Sequence, residues 1–447
     1  MKSKTMRKTI ILSAILALGL QANAQQRWTL RDCIDYATAH NVTILQAKNA
    51  AMQSEVEANT AKWARLPNLN ASGNQSFNWG RTQTAVKDED TGDYTTKYVD
   101  ASSRGTNMSL STSIPLFTGF ELPNQQALSK LNLKAAIADL QKAKEDLAIN
   151  IASAYLQALF NKELLQVAQG QALLSKEQLE RIETLERLGK ASAAEVAEAK
   201  SRVAQDDLNV VQCNNNYRLS VLDLTQLIEL ETPEGFEVAD PEQTFNLETL
   251  TPPDEIFATA LTSKPAIQAA QARLEGSEHS IKIAQSALYP SLNLNGSLGT
   301  SYYSTLNRTF GQQMGDNFSK YIGLSLNIPI FNRFATRNRV RTARLQRESY
   351  ALQLENTKKT LYKEIQQAWY NATAAESKYQ SSEAATEASL ASFELTSKKY
   401  ENGTATAVEY NEAKQNLMKA QSDELQAKYE YLFRTKILDF YKGEEIN

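Results

Sequence analysis

Apolar and polar positions alternate with a period of two in four stretches of this 447-residue chain. In 68–80 the odd positions are Leu69, Ala71, Gly73, Gln75, Phe77 and Trp79; in 106–117 the even positions are Met108, Leu110, Thr112, Ile114 and Leu116. The stretch 291–303 carries Leu292, Leu294 and Leu298, and 318–331 carries Ile322, Leu324, Leu326, Ile328 and Ile330. The intervening positions include Asn70, Ser109, Ser111, Asn293, Asn295, Ser325 and Asn327. A period of two predicts four strands, each with one apolar and one polar face. Elsewhere the period is helical. Ile34, Ala37, Val42, Leu45 and Ala50 predict a helix over 28–63 that ends before Pro67, because the residue before proline avoids the α region. The segment 122–188 holds one proline, Pro123, in a first turn that tolerates it, and 336–402 holds none. Both are 67 residues long, about 100 Å as helix. Gly189 and Gly403 are placed to terminate them, and return helices follow at 192–231 and 406–441. Large apolar residues are sparse in the first long helix (Leu131, Ile137, Leu140, Leu147, Ile151, Tyr155, Leu159). So thin a stripe makes a seam with neighbouring helices rather than a globular core.

The same order occurs twice. Ile114-Pro115-Leu116-Phe117 returns as Ile328-Pro329-Ile330-Phe331, 214 positions later, and Gly189 to Val196 returns as Gly403 to Tyr410 at the same offset. Ala199-Lys200 becomes Ala413-Lys414. Leu66-Pro67-Asn68-Leu69 matches Tyr289-Pro290-Ser291-Leu292 at an offset of 223, so one connection between Pro67 and Pro115 is longer in the first copy. The period is too long for a solenoid and reads as a duplicated half. These signals divide the chain into a signal peptide (1–24), a first repeat (25–231), a connector (232–253) and a second repeat (254–447).

The signal peptide rests on Lys2, Lys4, Arg7 and Lys8, an apolar run from Thr9 to Leu20, and the A-x-A site Ala22-Asn23-Ala24. Its apolar run is 12 residues, against roughly 20 for a spanning helix. Without those four cations the balance is 44 basic against 51 acidic residues, which argues against a nucleic-acid partner. A mean hydropathy of −0.45 suits a soluble protein, and equally a barrel whose strands alternate around a polar lumen. Cys33 and Cys213 form no CxxC and are expected to be small buried residues; with two His, no metal or cofactor is expected. No G-x-S-x-G, P-loop or H-E-x-x-H motif is present, so the chain is not expected to be an enzyme.

Segments 81–105 and 304–317 are polar connections, and Phe77, Trp79, Tyr302, Tyr303, Phe318 and Tyr321 sit near strand ends, as in an interfacial aromatic girdle. Four strands cannot span lipid alone, since an open sheet leaves edge N–H and C=O groups unpaired at several kcal/mol each. Two chains would close eight strands and three would close twelve. Eight are filled by their own side chains, whereas twelve can leave a lumen, which favours a trimer. The competing architecture is a trimeric coiled-coil surface stalk or adhesin, which would carry its anchor at one terminus rather than in both halves.

Signal peptide, helix, strand pair, long helix, glycine turn and return helix, all duplicated, resemble the TolC-type outer-membrane efflux proteins. The residues that carry this are the Ile-Pro-Leu-Phe and Ile-Pro-Ile-Phe motifs, Leu-Pro-Asn-Leu and Tyr-Pro-Ser-Leu, and the two glycine turns. The resemblance implies an α plus transmembrane-β fold. Four strands per chain would join a shared twelve-stranded homotrimeric barrel in outer-membrane lipid, above an α-helical coiled-coil tunnel in the periplasm. It implies a passive exit duct for tripartite efflux or type I secretion, working with a periplasmic adaptor and an inner-membrane pump. The turns would form the tunnel's tip, with Gly189, Lys190, Ala191, Gly403, Thr404 and Ala405 where the adaptor docks. Glu409 and Glu412 match the family's acidic entrance positions. Three copies of each would make anionic rings that favour cations and raise carboxyl pKa values by repulsion. Glutamates at a helix start are also favourable in their own right. Tyr400 matches a tyrosine of the closing links, with Glu195 as its acidic partner, while the usual basic companion falls at Ala405. The cargo is left open among drugs, peptides or toxins, and metals; 6 Met and 2 His offer little for copper or silver.

Overall fold

A computed structural model of the chain describes residues 26–87, 92, 94–239, 250–306 and 308–444. The expected signal peptide and its cleavage site lie outside them. In chain order the elements are β1 (Gln26–Trp28), α1 (Leu30–His40), α2 (Val42–Trp63), β2 (Asn68–Lys87), β3 (Tyr94–Phe117), α3 (Glu121–Arg187), α4 (Ala193–Leu227), β4 (Phe236–Val238), α5 (Pro253–Ser263), α6 (Pro265–Ser286), β5 (Ser291–Tyr303), α7 (Phe310–Asp316), β6 (Ser319–Asn327), α8 (Ala335–Glu401) and α9 (Ala407–Lys442). None of the described helices is long and apolar enough to cross a membrane. The chain forms two compact units that cut across the duplication, each taking part of both copies.

One unit comprises 52–135 and 271–353 and holds an antiparallel sheet in the order β2-β3-β5-β6. Its register sets like against like: Asn70 opposite Ser111, Ser111 opposite Ser297, Leu292 opposite Leu326 and Leu294 opposite Leu324. The Ser72 and Ser109 hydroxyls bond each other at 2.7 Å. Among the described residues nothing covers the apolar face: Ile322 is 81 % exposed and Trp79 77 %. The β2–β3 hairpin is longer than the alternation predicts. It continues to Lys87 opposite Tyr94, through the segment expected to be a polar connection. The sequence 81–105 is mostly polar at odd and even positions alike, so the period-two signal vanishes there. The second expected connection folds into the short helix α7. There Gln313 accepts from the Tyr303 amide at 3.0 Å and donates to the Tyr303 carbonyl at 3.1 Å. β6 stops at Asn327, short of the expected 331, ahead of Pro329, which has no N–H to give a ladder.

Both strand-to-helix junctions use two successive left-handed residues, Gly119-Phe120 (φ 63° and 68°) and Arg333-Phe334 (φ 56° and 62°). Each sets an edge-to-face ring pair, Phe117–Phe120 at 5.3 Å and Phe331–Phe334 at 5.5 Å. A Cβ at Gly119 would lie 2.5 Å from the Ser286 carbonyl oxygen, so only glycine fits there.

The other unit comprises 1–51, 136–270 and 354–447. Its core gathers Cys33, Ile44, Ile151, Leu159, Leu224, Ile228, Val238 and Tyr429. β1 pairs in parallel with β4, which lies in the expected connector and so ties it to the start of the chain. The Tyr155 hydroxyl sits 3.0 Å from the Trp28 carbonyl and 2.9 Å from that of Ala239. The single helix expected over 28–63 is divided. Trp28 belongs to β1, Thr29 caps α1 in a capping box with Asp32, and Asn41 separates α1 from α2. Asn41 Nδ2 donates to the Leu227 carbonyl at 3.1 Å and its Oδ1 accepts from the Thr43 amide at 2.9 Å. A side-chain amide that competes for the backbone in this way breaks a helix whose apolar period runs on undisturbed.

Candidate functional site

Two helical turns, α3–α4 and α8–α9, repeat each other in detail. Gly189 and Gly403 adopt φ of 70° and 73°. The Lys190 amide donates to the Leu185 carbonyl and the Thr404 amide to that of Lys399, both at 2.8 Å, and each glycine amide donates three residues back. This is the 6→1 and 5→2 pattern that closes a helix on a left-handed residue. A Cβ at either glycine would meet only open space, so the turns are chosen for backbone conformation and leave room for a neighbour. The next helices start on capping boxes. Glu195 accepts from the Ser192 amide (2.6 Å) and hydroxyl, and Glu409 accepts from the Thr406 amide (2.7 Å) and hydroxyl. Those backbone and hydroxyl donors hold both carboxyls below the usual glutamate range. The direction is opposite to the rise expected from stacked anionic rings: within one chain, capping dominates. Glu412, one turn on, is exposed.

Tyr400 does not bond Glu195. Its hydroxyl accepts from Gln178 Nε2 at 2.8 Å, its ring stacks on Tyr410 at 5.0 Å, and the Arg181 guanidinium lies 5.8 Å from the ring centre. Arg181 Nη2 also donates to the Glu401 carbonyl at 3.2 Å. Burial raises the pKa of the Tyr400 phenol. A cation thus lies beside this tyrosine from α3, whereas position 405 is an alanine. Tyr400, Gln178, Glu195, Tyr410 and Lys414 line one small cleft, so Glu195 is near Tyr400 without being its partner.

Of the residues lining the cleft, Lys414 is buried. Its ammonium donates to the Gln171 carbonyl (3.0 Å), to Asp206 Oδ2 (3.2 Å) and to the Ser175 hydroxyl, and Ser175 in turn donates to Asp206. Burial pushes its pKa below that of a free lysine, against the pull of Asp206. Its repeat counterpart, Lys200, is 60 % exposed and pairs with Glu183 at the surface. Sequence reasoning did not single out Arg181, Gln178, Ser175 or Asp206. The available signal was divergence between the copies: Arg181 and Asp206 correspond to Leu395 and Ala420 at the 214-residue offset. Both cysteines are buried and free, and burial pushes the Cys33 thiol up to about 12. Among the described residues no group of three or more His, Cys, Asp or Glu is placed to hold a metal.

Residues 33–229 and 257–443 match the family described as outer membrane efflux protein. The pyoverdine export outer membrane protein OpmQ of Pseudomonas putida is 24 % identical over 71 % of this chain and 66 % of its own length, so the chain spans just under two thirds of that relative. Outer membrane protein TolC of Escherichia coli is 25 % identical over 76 % of this chain and 70 % of its own. The fold is that of the CmeC outer membrane channel of Campylobacter jejuni, with a TM-score of 0.76 and 21 % identity, covering 94 % of this chain and 86 % of that one.

Proposed function

Because the chain belongs to the outer membrane efflux protein family, we propose that three copies close one twelve-stranded barrel and one helical tunnel. The protein is an outer-membrane exit duct of the efflux and secretion type, and members of the family are channels rather than enzymes. One observation carries the trimer. The sheet has an exposed apolar face, and its edge strands, β2 and β6, have no partner among the described residues. In lipid those edges must pair, and another copy of the same sheet offers them a matching edge. Native mass spectrometry of the detergent-extracted protein should give three times the mature chain, and negative-stain images a threefold ring with an open centre. A monomer, or a fibre without a lumen, would leave the coiled-coil stalk instead.

At the tip, the small turns Gly189-Lys190-Ala191 and Gly403-Thr404-Ala405 are the surface on which a periplasmic adaptor docks, with the energy coming from an inner-membrane pump. Glu409 and Glu412 face the entrance, and Tyr400 closes it through Gln178 and Arg181 rather than through Glu195. Cargo is not set by the tip. OpmQ is a pyoverdine exporter by name and a further relative, AprF of Pseudomonas aeruginosa, secretes alkaline protease, so small molecules and polypeptides both fit this architecture.

A further inference from the structure

The junction before α8 and the helix's first turns carry Arg333, Arg337, Arg339, Arg341, Arg344 and Arg347, six arginines in fifteen residues, with no lysine between Lys320 and Lys358. All six are exposed, and only Arg347 has an ion-pair partner among the described residues, Glu278 at 3.4 Å. Arg337, Arg341 and Arg344, spaced four and three apart, share one face of the helix. The duplication supplies an internal control. At the 214-residue offset the first copy has Gly119, Pro123, Gln125, Ala127, Lys130 and Leu133, and it builds the same left-handed junction and the same ring pair. The junction therefore needs none of these arginines to fold. Arg333 even takes the left-handed φ for which its counterpart is a glycine, a conformation that an L side chain adopts only at a cost.

What precedes the arginines says what they meet. The apolar face of β6 runs directly into Ile328, Ile330, Phe331 and Phe334, which are 57 %, 94 %, 71 % and 59 % exposed. Arg337 to Arg344 follow within about 15 Å of the helix start. Exposed apolar anchors followed at that distance by unpaired guanidinium groups match the boundary between acyl chains and headgroups. Arginine's planar fork fits phosphate oxygens two at a time, where lysine offers a point charge.

We infer that the Arg337–Arg341–Arg344 face, with Arg333 at its upper end, binds the phosphate groups of anionic phospholipid in the leaflet at the helix end of the barrel. This rests on the outer-membrane barrel reading. The test is lipid retention by the full-length protein in detergent, offered an equal mixture of phosphatidylglycerol and phosphatidylcholine and read by native mass spectrometry. Wild type should enrich phosphatidylglycerol, the R337Q/R341Q/R344Q variant should lose that enrichment by roughly fivefold per arginine removed, and K130Q in the first copy should keep it. Millimolar inorganic phosphate should leave it unchanged. Equal enrichment in wild type and the triple variant overturns the inference. So does loss of enrichment on adding phosphate together with a shifted reversal potential in the variant, which would make the arginines a site for soluble anions. Should the triple variant fail to fold, R337K/R341K/R344K must show reduced but measurable enrichment, and full enrichment there overturns bidentate recognition. Bilayer conductance of the same preparation reads the duct separately: lipid enrichment without channels sinks the duct alone, and channels without enrichment sink this inference alone.

Discussion

Lys200 and Lys414 occupy the same place in the two copies, yet one is a solvated surface pair and the other a buried ammonium held by Gln171, Ser175 and Asp206. Removing one member of a buried pair leaves the other charge without compensation. K414A should therefore destabilise the protein by about 3 kcal/mol, the lower end of the range for a pair in which Asp206 keeps some exposure. K200A should cost well under about 1 kcal/mol, as exposed pairs do. The double variant K414M/D206L should recover most of the loss. Denaturant titration in detergent reads all three, and equal costs for K414A and K200A would show that burial of Lys414 contributes nothing. The Ala-Lys dipeptide was legible as part of the repeat, but its two fates were not. They depend on Asp206 in α4 and Ser175 in α3, brought to Lys414 only by packing.

At the scale of the element, what could be read from the chain was whatever had a strong period or an unusual backbone. The alternating strands, the two long helices and the glycine turns all had one. The far part of the β2–β3 hairpin and the break at Asn41 did not: the first is mostly polar at odd and even positions alike, and the second is decided by one side chain bonded to Leu227, 186 positions away. The strands also make a functional prediction. The polar face carries Asn70, Ser72, Ser109, Ser111, Asn295, Ser297 and Ser325, with no ionisable group of the acidic or basic kind on it between 68 and 78 or within β5 and β6. The proposed barrel, lined this way, adds little discrimination between ions, and the proposed entrance at Glu409 and Glu412 is where a cation preference is expected. E409Q/E412Q should abolish most of that preference, read as reversal potential across a salt gradient in planar bilayers; an unchanged potential would put the selective charge elsewhere. The capping boxes give a pH dependence for the helix starts. Both Glu195 and Glu409 have folded pKa values below the unfolded ones, so their stabilisation is present above the ordinary glutamate pKa of 4.5 and is lost as pH falls through the lower folded value. Hydrogen exchange of the Glu195 and Glu409 amides, corrected for intrinsic pH effects, should speed up below that pH. T406A should produce the same loss at neutral pH for the Glu409 amide only.

For the whole molecule the question is what keeps the duct shut when no pump engages it. The side-chain bond from Gln178 to Tyr400 and the bond from Arg181 to the Glu401 carbonyl tie the end of α3 to the end of α8, the helices that carry the two turns. In the gate proposed above, opening separates these ends, breaks both links and uncovers the stacked Tyr400–Tyr410 pair. Each bond contributes about 1 kcal/mol net. Losing both should raise the ratio of open to closed tips by about thirtyfold per chain, and more in a closed ring where neighbours move together. Q178A/R181A should therefore show larger single-channel conductance and admit bulky antibiotics into cells that otherwise exclude them. E195Q should do neither, because Glu195 spends its carboxylate on Ser192 rather than on Tyr400. The comparison separates two ways of closing one fold: if E195Q opens the channel and Q178A/R181A does not, the link passes through the first turn, and the arginine on α3 only steadies a tyrosine that is held from the other side.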